Sequence, residues 1–179
     1  MKIRRTEYFV NSYFRHDDGI FPNNSSLPVL HYKSIVRVPA FFAARSFRKH
    51  FAANGWTNSW KGTIYDYHHY HSVTHEVLGC YSGSGEIRIG GEEGPVIIFE
   101  AGDVLVIPAG VAHKKVHDSK LRCIGAYPEG RSFDMQRGEA GERPAADNNI
   151  QSVPMPRKDP VFGCDGDLIF HWKGFRKMA

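Results

Sequence analysis

Cysteine is scarce in this sequence: there are three, Cys80, Cys123 and Cys164, far apart and without a CxxC pair. An odd, sparse set in a chain this size excludes a disulfide framework. Long apolar runs are missing as well. The opening MKIRRTEYFV has no stretch that fits a signal peptide, and no segment approaches membrane-spanning length. A soluble cytoplasmic protein with no membrane partner is therefore the expectation. Charge of one sign is not concentrated anywhere, although the net charge is +4 and the pI is near 9.0. The basic clusters Lys2/Arg4/Arg5, Arg45/Arg48/Lys49 and Lys114/Lys115 are small and interrupted by acids. That pattern reads as solvated surface and argues against a nucleic-acid stripe. There is no Ser-His-Asp arrangement, no phosphate-cradling loop backed by a helix and no internal repeat.

What is present is a histidine-rich stretch. Residues Tyr65 to Glu76 (YDYHHYHSVTHE) hold four histidines in twelve residues and end on the carboxylate of Glu76, beside tyrosines that would shape a pocket. On a strand, side chains alternate faces, so His69 and His71 project the same way, about 7 Å apart. Both imidazoles can then reach one metal ion. Glu76 follows at an odd offset, so Ser72 to Thr74 must turn the chain before Glu76 can point back as an oxygen ligand. A further ligand must come from elsewhere.

The 179 residues, 41% hydrophobic and 13% aromatic, suit one domain with a real core. Arg4 to Phe14 reads as a short strand or extended arm, Phe21 to Leu30 as turn-rich, and His31 to Val38 as a short run. One amphipathic helix is expected near the N-terminus. Pro39 can begin it, Ala40, Ala44, Phe47 and Phe51 line one side, Arg45, Arg48 and Lys49 the other, and Gly55 can stop it. From Trp56 to Tyr127 the texture is short apolar runs punctuated by Gly and Pro, the mark of a barrel or sandwich. Strands are expected at Tyr65–His71, Glu76–Tyr81, Glu86–Ile89, Pro95–Phe99, Val104–Ile107, His113–His117 and Leu121–Tyr127. Tight turns are expected at Ser82–Gly85 and Gly90–Gly94. Pro128 to Pro160 reads as an irregular arm, and Val161 to Trp172 as a returning strand pair.

Two segments resemble the paired motifs of the cupin family. The first is His69-x-His71, four residues, Glu76, six residues, Gly83; the second is Gly102, five residues, Pro108-x-Gly110, two residues, His113. The second motif of the family usually closes on Asn, where this chain has His117. The first usually opens on a Gly with five residues before the first histidine; here six separate Gly62 from His69. Beyond the motifs, NSW…YDYHHYHS…HEVLG, AGDVLVIPAG and GAYPEG resemble the bacterial YjlB-like monocupins, over roughly Glu7 to Trp172. The resemblance implies a mostly β fold, a single cupin-type antiparallel β-barrel (jelly roll) with one N-terminal helix. Its parts would be the arm and helix at 1–55, the barrel at 56–128 and a C-terminal arm at 129–179. It also implies His69, His71, Glu76 and His113 as ligands of a divalent ion such as iron, manganese, nickel, zinc or cobalt. Open coordination positions would take water, substrate or dioxygen.

Other residues have weaker readings. Tyr65 and Tyr67 share the parity of His69 and His71, and either meet substrate and ligands or fill the barrel. Cys80 shares the face of Glu76, so it and Cys123 either line the cavity or pack as small hydrophobes. Parity from His113 turns Lys115 and His117 inward if no bulge intervenes. His68 falls on the other face, at a surface or interface, and His75 has the wrong parity for ligation. The functional expectation is a metal-dependent dioxygenase or isomerase acting on a small molecule. The alternative is a non-catalytic protein that binds or senses a small molecule or metal. A homodimer is expected, with terminal segments covering edges of the neighbouring barrel.

Overall fold

The structure is a computed structural model that describes residues 1–4 and 8–173. Arg5 of the first basic cluster and Glu7, where the resemblance begins, lie outside the described residues. Nine strands are described: β1 Lys2–Ile3, β2 Phe9–Arg15, β3 Asn24–Lys33, β4 Val36–Arg37, β5 Trp56–Gly62, β6 Glu76–Ile89, β7 Val96–Glu100, β8 Val104–Ile107 and β9 His113–Pro128. Three helices accompany them: α1 Ala43–Ala53, α2 Ala145–Ser152 and α3 Asp167–Lys173. β1 pairs β4, and the large sheet runs β2-β3-β8-β6-β9-β5, with β7 paired to β6. Every pairing is antiparallel. The fold is the mostly β cupin architecture expected, with two short helices beyond the expected one.

β6 organises the sheet. Its first turn of pairing, Glu76 to Gly79, lies against β8, its far half, Ser84 to Arg88, against β7, and nearly all of it against β9. The tight turn expected at Ser82–Gly85 is instead a bulged passage inside this strand, with register shifts between Cys80 and Ser82 and between Ser84 and Gly85. Gly83 permits the bulge: its φ is +71°, and a Cβ there would collide with the Lys120 carbonyl.

Both faces of the central strands are buried, which is why Val104–Ile107 is apolar at every position. Val77, Val104 and Val106 face one cluster with Phe47 and Phe51 of α1 and Leu168 and Trp172 of α3. Leu78, Leu105 and Ile107 face the other, inside the barrel, with Val29, Ile87 and Phe99. The helix α1 begins at Ala43 rather than near Pro39, because Phe42 takes a left-handed conformation (φ 57°) that ends the preceding bends. Its buried residues are Phe47 and Phe51, as the spacing indicated.

Two expectations are corrected in the flanking segments. Most of the expected turn-rich segment before Leu30 belongs to β3, because Val29 and Leu30 are needed in the two cores. The expected strand pair at Val161–Trp172 is a turn followed by α3. Asp159, 127 residues from Tyr32 in sequence, explains the change. Its Oδ2 accepts from the Tyr32 hydroxyl (2.5 Å) and from the Leu168 amide (3.0 Å), capping α3 from outside the helix. Leu168 and Trp172, four apart, then share the buried face, and the Trp172 indole donates to the Pro28 carbonyl at 3.0 Å. The segment therefore packs on β3 of its own chain.

Candidate metal centre

The stretch expected as a strand from Tyr65 to His71 is irregular, held by isolated bridges from His69 to His113 and from Tyr70 to Gln136. β5 takes only the Cys123–Pro128 end of β9; at the His113 end the stretch meets β9 through the His69 bridge and through the Lys115 amide, which donates to the Tyr65 carbonyl at 2.7 Å. His69 and His71 still face one cavity, and the chain bends at Ser72–Val73 so that Glu76 opens β6 beside them. His113 arrives by the route the second motif describes. β8 ends, Gly110 turns with φ +91°, its amide donates to the His71 carbonyl at 2.9 Å, and His113 starts β9. A side chain at Gly110 would strike the Asn23 carbonyl.

All four side chains are buried, none more than 5% exposed, and they line a cavity of about 430 Å³. The imidazole centroids of His69 and His113 are 4.2 Å apart, those of His69 and His71 5.9 Å. Nε2 of His71 and Nε2 of His113 each lie 3.5 Å from Oε2 of Glu76. Each ring is oriented through Nδ1, which meets a backbone carbonyl: Tyr67 for His69 (3.3 Å), Asp134 for His71 and Val111 for His113 (3.2 Å). A proton on Nδ1 satisfies those carbonyls and leaves Nε2 turned to the cavity.

The charges are set by burial and by one another. Burial and the facing His113 push His69 down to about 3, so its ring is neutral. Burial opposes the ionisation of Glu76, but His71 and His113 overcome it and hold the carboxyl well below the usual range. His71 is raised: burial works against it, and the Glu76 carboxylate outweighs burial. The arrangement thus draws positive charge to the gap between His71, His113 and Glu76. Among the described residues, no group of three or more His, Cys, Asp or Glu side chains stands in a ready-formed coordination geometry.

Several contributors lie outside the motifs. Oε1 of Glu76 accepts from the Trp60 indole (3.2 Å) and the Tyr127 hydroxyl (3.0 Å), which leaves Oε2 to face the histidines. Asp134 from the C-terminal arm accepts from the Ser72 and Val73 amides (2.8 and 3.3 Å) and from the Ser72 hydroxyl. That clamp positions the Asp134 carbonyl against His71. Phe133 stacks on Tyr127 with centroids 4.9 Å apart and, with Met135, walls the cavity. None of these carries a spacing signal, because each meets the site from 16 to 63 residues away.

The remaining candidates are distributed as follows. Tyr65 lines the cavity mouth and stacks on Tyr67 at 4.9 Å, while Tyr67 is absent from the wall and carries Arg137 over its ring at 4.1 Å. Cys80 is outside the cavity wall. It faces Cys123 across β6 and β9, fully buried, and burial raises its thiol to about 12. His117 is exposed, opposite Glu86, because the bulge between Glu86 and Ile87 breaks the parity counted from His113. Lys115 pairs with Asp118 at 2.5 Å at the surface. His68 is more buried than expected, packed on Phe21 at 5.1 Å. His75 is buried away from the cavity, accepting from the Ala109 amide at 2.9 Å and lying 4.8 Å from Trp172.

Residues 56–124 match the Cupin_2 family, described as the cupin domain. Over 162 residues the chain is 41% identical to the uncharacterized protein YjlB of Bacillus subtilis (strain 168), covering 90% of this chain and 95% of that one. The chain is a YjlB-like cupin. Likenesses to solved structures are partial. The 11S allergen of Cocos nucifera is 14% identical with a TM-score of 0.37, over 52% of this cupin and 31% of the allergen. Acireductone dioxygenase from Bacillus anthracis, with cadmium in its active centre, is 17% identical with a TM-score of 0.33, over 46% and 56%. Oxalate decarboxylase from Lactobacillus farciminis is 12% identical with a TM-score of 0.36, over 86% and 41%. This cupin spans less than two thirds of each of those three structures. No helix among its described residues is long and apolar enough to cross a membrane.

Proposed function

We propose that this cupin binds a divalent first-row metal ion through His69, His71, Glu76 and His113 and acts on a small molecule, as a dioxygenase or isomerase. The carrying observation is the three Nδ1 atoms tied to carbonyls, with two Nε2 atoms 3.5 Å from Glu76 Oε2. Two donors sharing an ion at about 2.1 Å stand roughly 3.0–3.4 Å apart, so a small adjustment suffices. The gap already draws a proton, and a metal ion fits the same charge requirement. A bound ion would supply Lewis-acid polarisation or, if redox-active, activation of dioxygen. The chain's own part is to fix the rings through Nδ1, restrain Glu76 through Trp60 and Tyr127, and wall the cavity with Phe133 and Met135. Iron, manganese, nickel, zinc and cobalt all suit three imidazoles and a carboxylate. A non-catalytic binding protein is the second reading, supported by Tyr127: its hydroxyl is engaged by both Glu76 and Trp60, and burial raises it.

The test is metal analysis of protein purified without a His-tag or nickel column. About one ion per chain is expected, lost in His69→Ala and His113→Ala and kept in His68→Ala. Equal loss in all three, or no metal in the wild type under any loading condition, contradicts the centre. Consumption of dioxygen or of an enol-type substrate, abolished by His69→Ala, decides for the enzyme.

The same proposal includes one cupin domain, supported by a cluster that joins Leu30, Phe47, Val77 and Trp172. It includes a cytoplasmic location, supported by Cys80 and Cys123 facing each other as free thiols. It also includes a homodimer, supported by β2 and β5 ending the sheet path with an edge each; light scattering at micromolar concentration tests it.

A further inference from the structure

The cavity wall bears on what the centre would accept. Beyond the four donor side chains it is built mainly from Trp60, Ile64, Tyr65, Leu78, Phe133 and Met135. Its volume, about 430 Å³, is toward the small end of the roughly 300–1,000 Å³ of ligand pockets. Among the described residues, the only cationic side chain besides the histidines in the wall is Lys61. Its Nζ lies 5.8 Å from the centroid of Tyr81, a ring that is no part of the wall. Arg137, from the arm that supplies Phe133 and Met135, lies over Tyr67 instead of entering the cavity. The wall's spare polar atom is neutral: Oγ1 of Thr63 is buried without a hydrogen-bond partner.

A phosphate or a second carboxylate entering this space would lose its hydration and meet mainly hydrocarbon and ring faces, at a cost the Thr63 hydroxyl does not offset and Lys61 offsets only by leaving the Tyr81 ring. The donor set gives the complementary constraint. A divalent ion held by one carboxylate and three neutral imidazoles keeps one positive charge in a low-dielectric cavity, and a singly anionic oxygen head neutralises it. Phe133, stacked on Tyr127 and tilted against His71 at 5.2 Å, offers a ring face close to where that head would sit.

We propose that the ligand of this cavity is a compact, largely apolar molecule with one singly anionic, oxygen-chelating head, such as an enolate or a hydroxyketone. Phosphorylated sugars and polycarboxylates are excluded. The inference rests on the metal centre proposed above and assigns Phe133 and Met135 to ligand selection.

Three hydroxamates with the same chelating head separate wall from metal. Zinc-loaded protein is titrated calorimetrically with benzohydroxamate, acetohydroxamate and 4-phosphonobenzohydroxamate. Benzohydroxamate is expected to bind at least about tenfold tighter than acetohydroxamate, from the apolar area its ring buries. The phosphonate is expected to lose at least about tenfold against benzohydroxamate. Phe133→Ala and Met135→Ala should each shrink the benzo-to-aceto ratio and leave acetohydroxamate affinity within about twofold. Equal affinities in zinc-loaded wild type, or a phosphonate that binds as tightly as its parent, overturn the ligand class and leave the metal centre standing. If zinc does not bind, the metal reading fails, and metal-stripped protein decides the wall alone. There, line broadening of 4-fluorobenzamide in fluorine NMR, relieved by Phe133→Ala, supports an apolar site, and an unbroadened line overturns it.

Discussion

Five histidines of this cupin are almost wholly buried, and they fall into two regions. His31 and His75 lie in the closed core; His69, His71 and His113 line the cavity. Exposure does not distinguish them, since His113 and His75 are both 1% exposed. The partners do. His31 donates from Nε2 to the Asp103 carboxylate at 2.8 Å, and His75 accepts at Nδ1 from the Ala109 amide at 2.9 Å. In each core ring one nitrogen is consumed in joining two strands or loops of the framework. In each cavity ring a nitrogen is consumed in orientation by a nearby or arm carbonyl, and the other is turned to a carboxylate or to open space. What the second nitrogen meets separates the proposed ligand histidines from the core ones.

That contrast can be broken most severely at the rings themselves. His69→Ala, His71→Ala or His113→Ala should each lower metal affinity by at least about 100-fold with the barrel still folded, read by metal analysis and circular dichroism. Next come the residues that aim the donors. Asp134→Ala should cost about 10–100-fold in affinity by releasing the carbonyl that orients His71, and Trp60→Phe a loss at the low end of that range. In both, thermal stability of the metal-free protein should fall far less than affinity does. His75→Ala sharpens the contrast from the other side. Metal binding should be unchanged while stability drops by about 2–3 kcal/mol, from the cavity left beside Trp172 and the unsatisfied Ala109 amide. Denaturant unfolding reads this, and loss of metal in that variant would erase the distinction.

The smallest effect is in acid. Asp17 is held low by Arg143, and Asp134 and Glu142 are held low, against burial, by hydrogen bonds from Ser72 and from the Arg137 amide. Each has a folded value below its unfolded one. The stabilisation they give is therefore present above about pH 4 and is lost as pH falls through the lower folded values. All three involve the segment 131–152, so that arm should gain hydrogen exchange below pH 4 before β6 and β9 do. Simultaneous opening would show that the arm is not separately tethered.

How far this was legible in the sequence varies by element. The spacing of His69, His71, Glu76 and His113 was readable because each lies within a few residues of a strand end or turn that aims it. The apolar spacing of α1 located its buried face, Phe47 and Phe51. Trp60, Tyr127 and Asp134 were not readable, because their relation to the site exists only once β5, β9 and the arm are assembled. Ser82–Gly85 looked like a turn because a glycine-rich bulge and a hairpin use the same residues. Asp167–Trp172 looked like a strand because its helix depends on Asp159, a cap supplied by tertiary structure.

The central claim, that the cavity nitrogens and not the core nitrogens receive a metal ion, has one direct test. Imidazole nitrogen-15 spectra are recorded on metal-free protein and during zinc addition. The account predicts that Nε2 of His69, His71 and His113 shift together to saturation near one equivalent, while both nitrogens of His31 and His75 stay in place. Shifts at His31 or His75, or cavity Nε2 signals that do not respond to zinc, would contradict it.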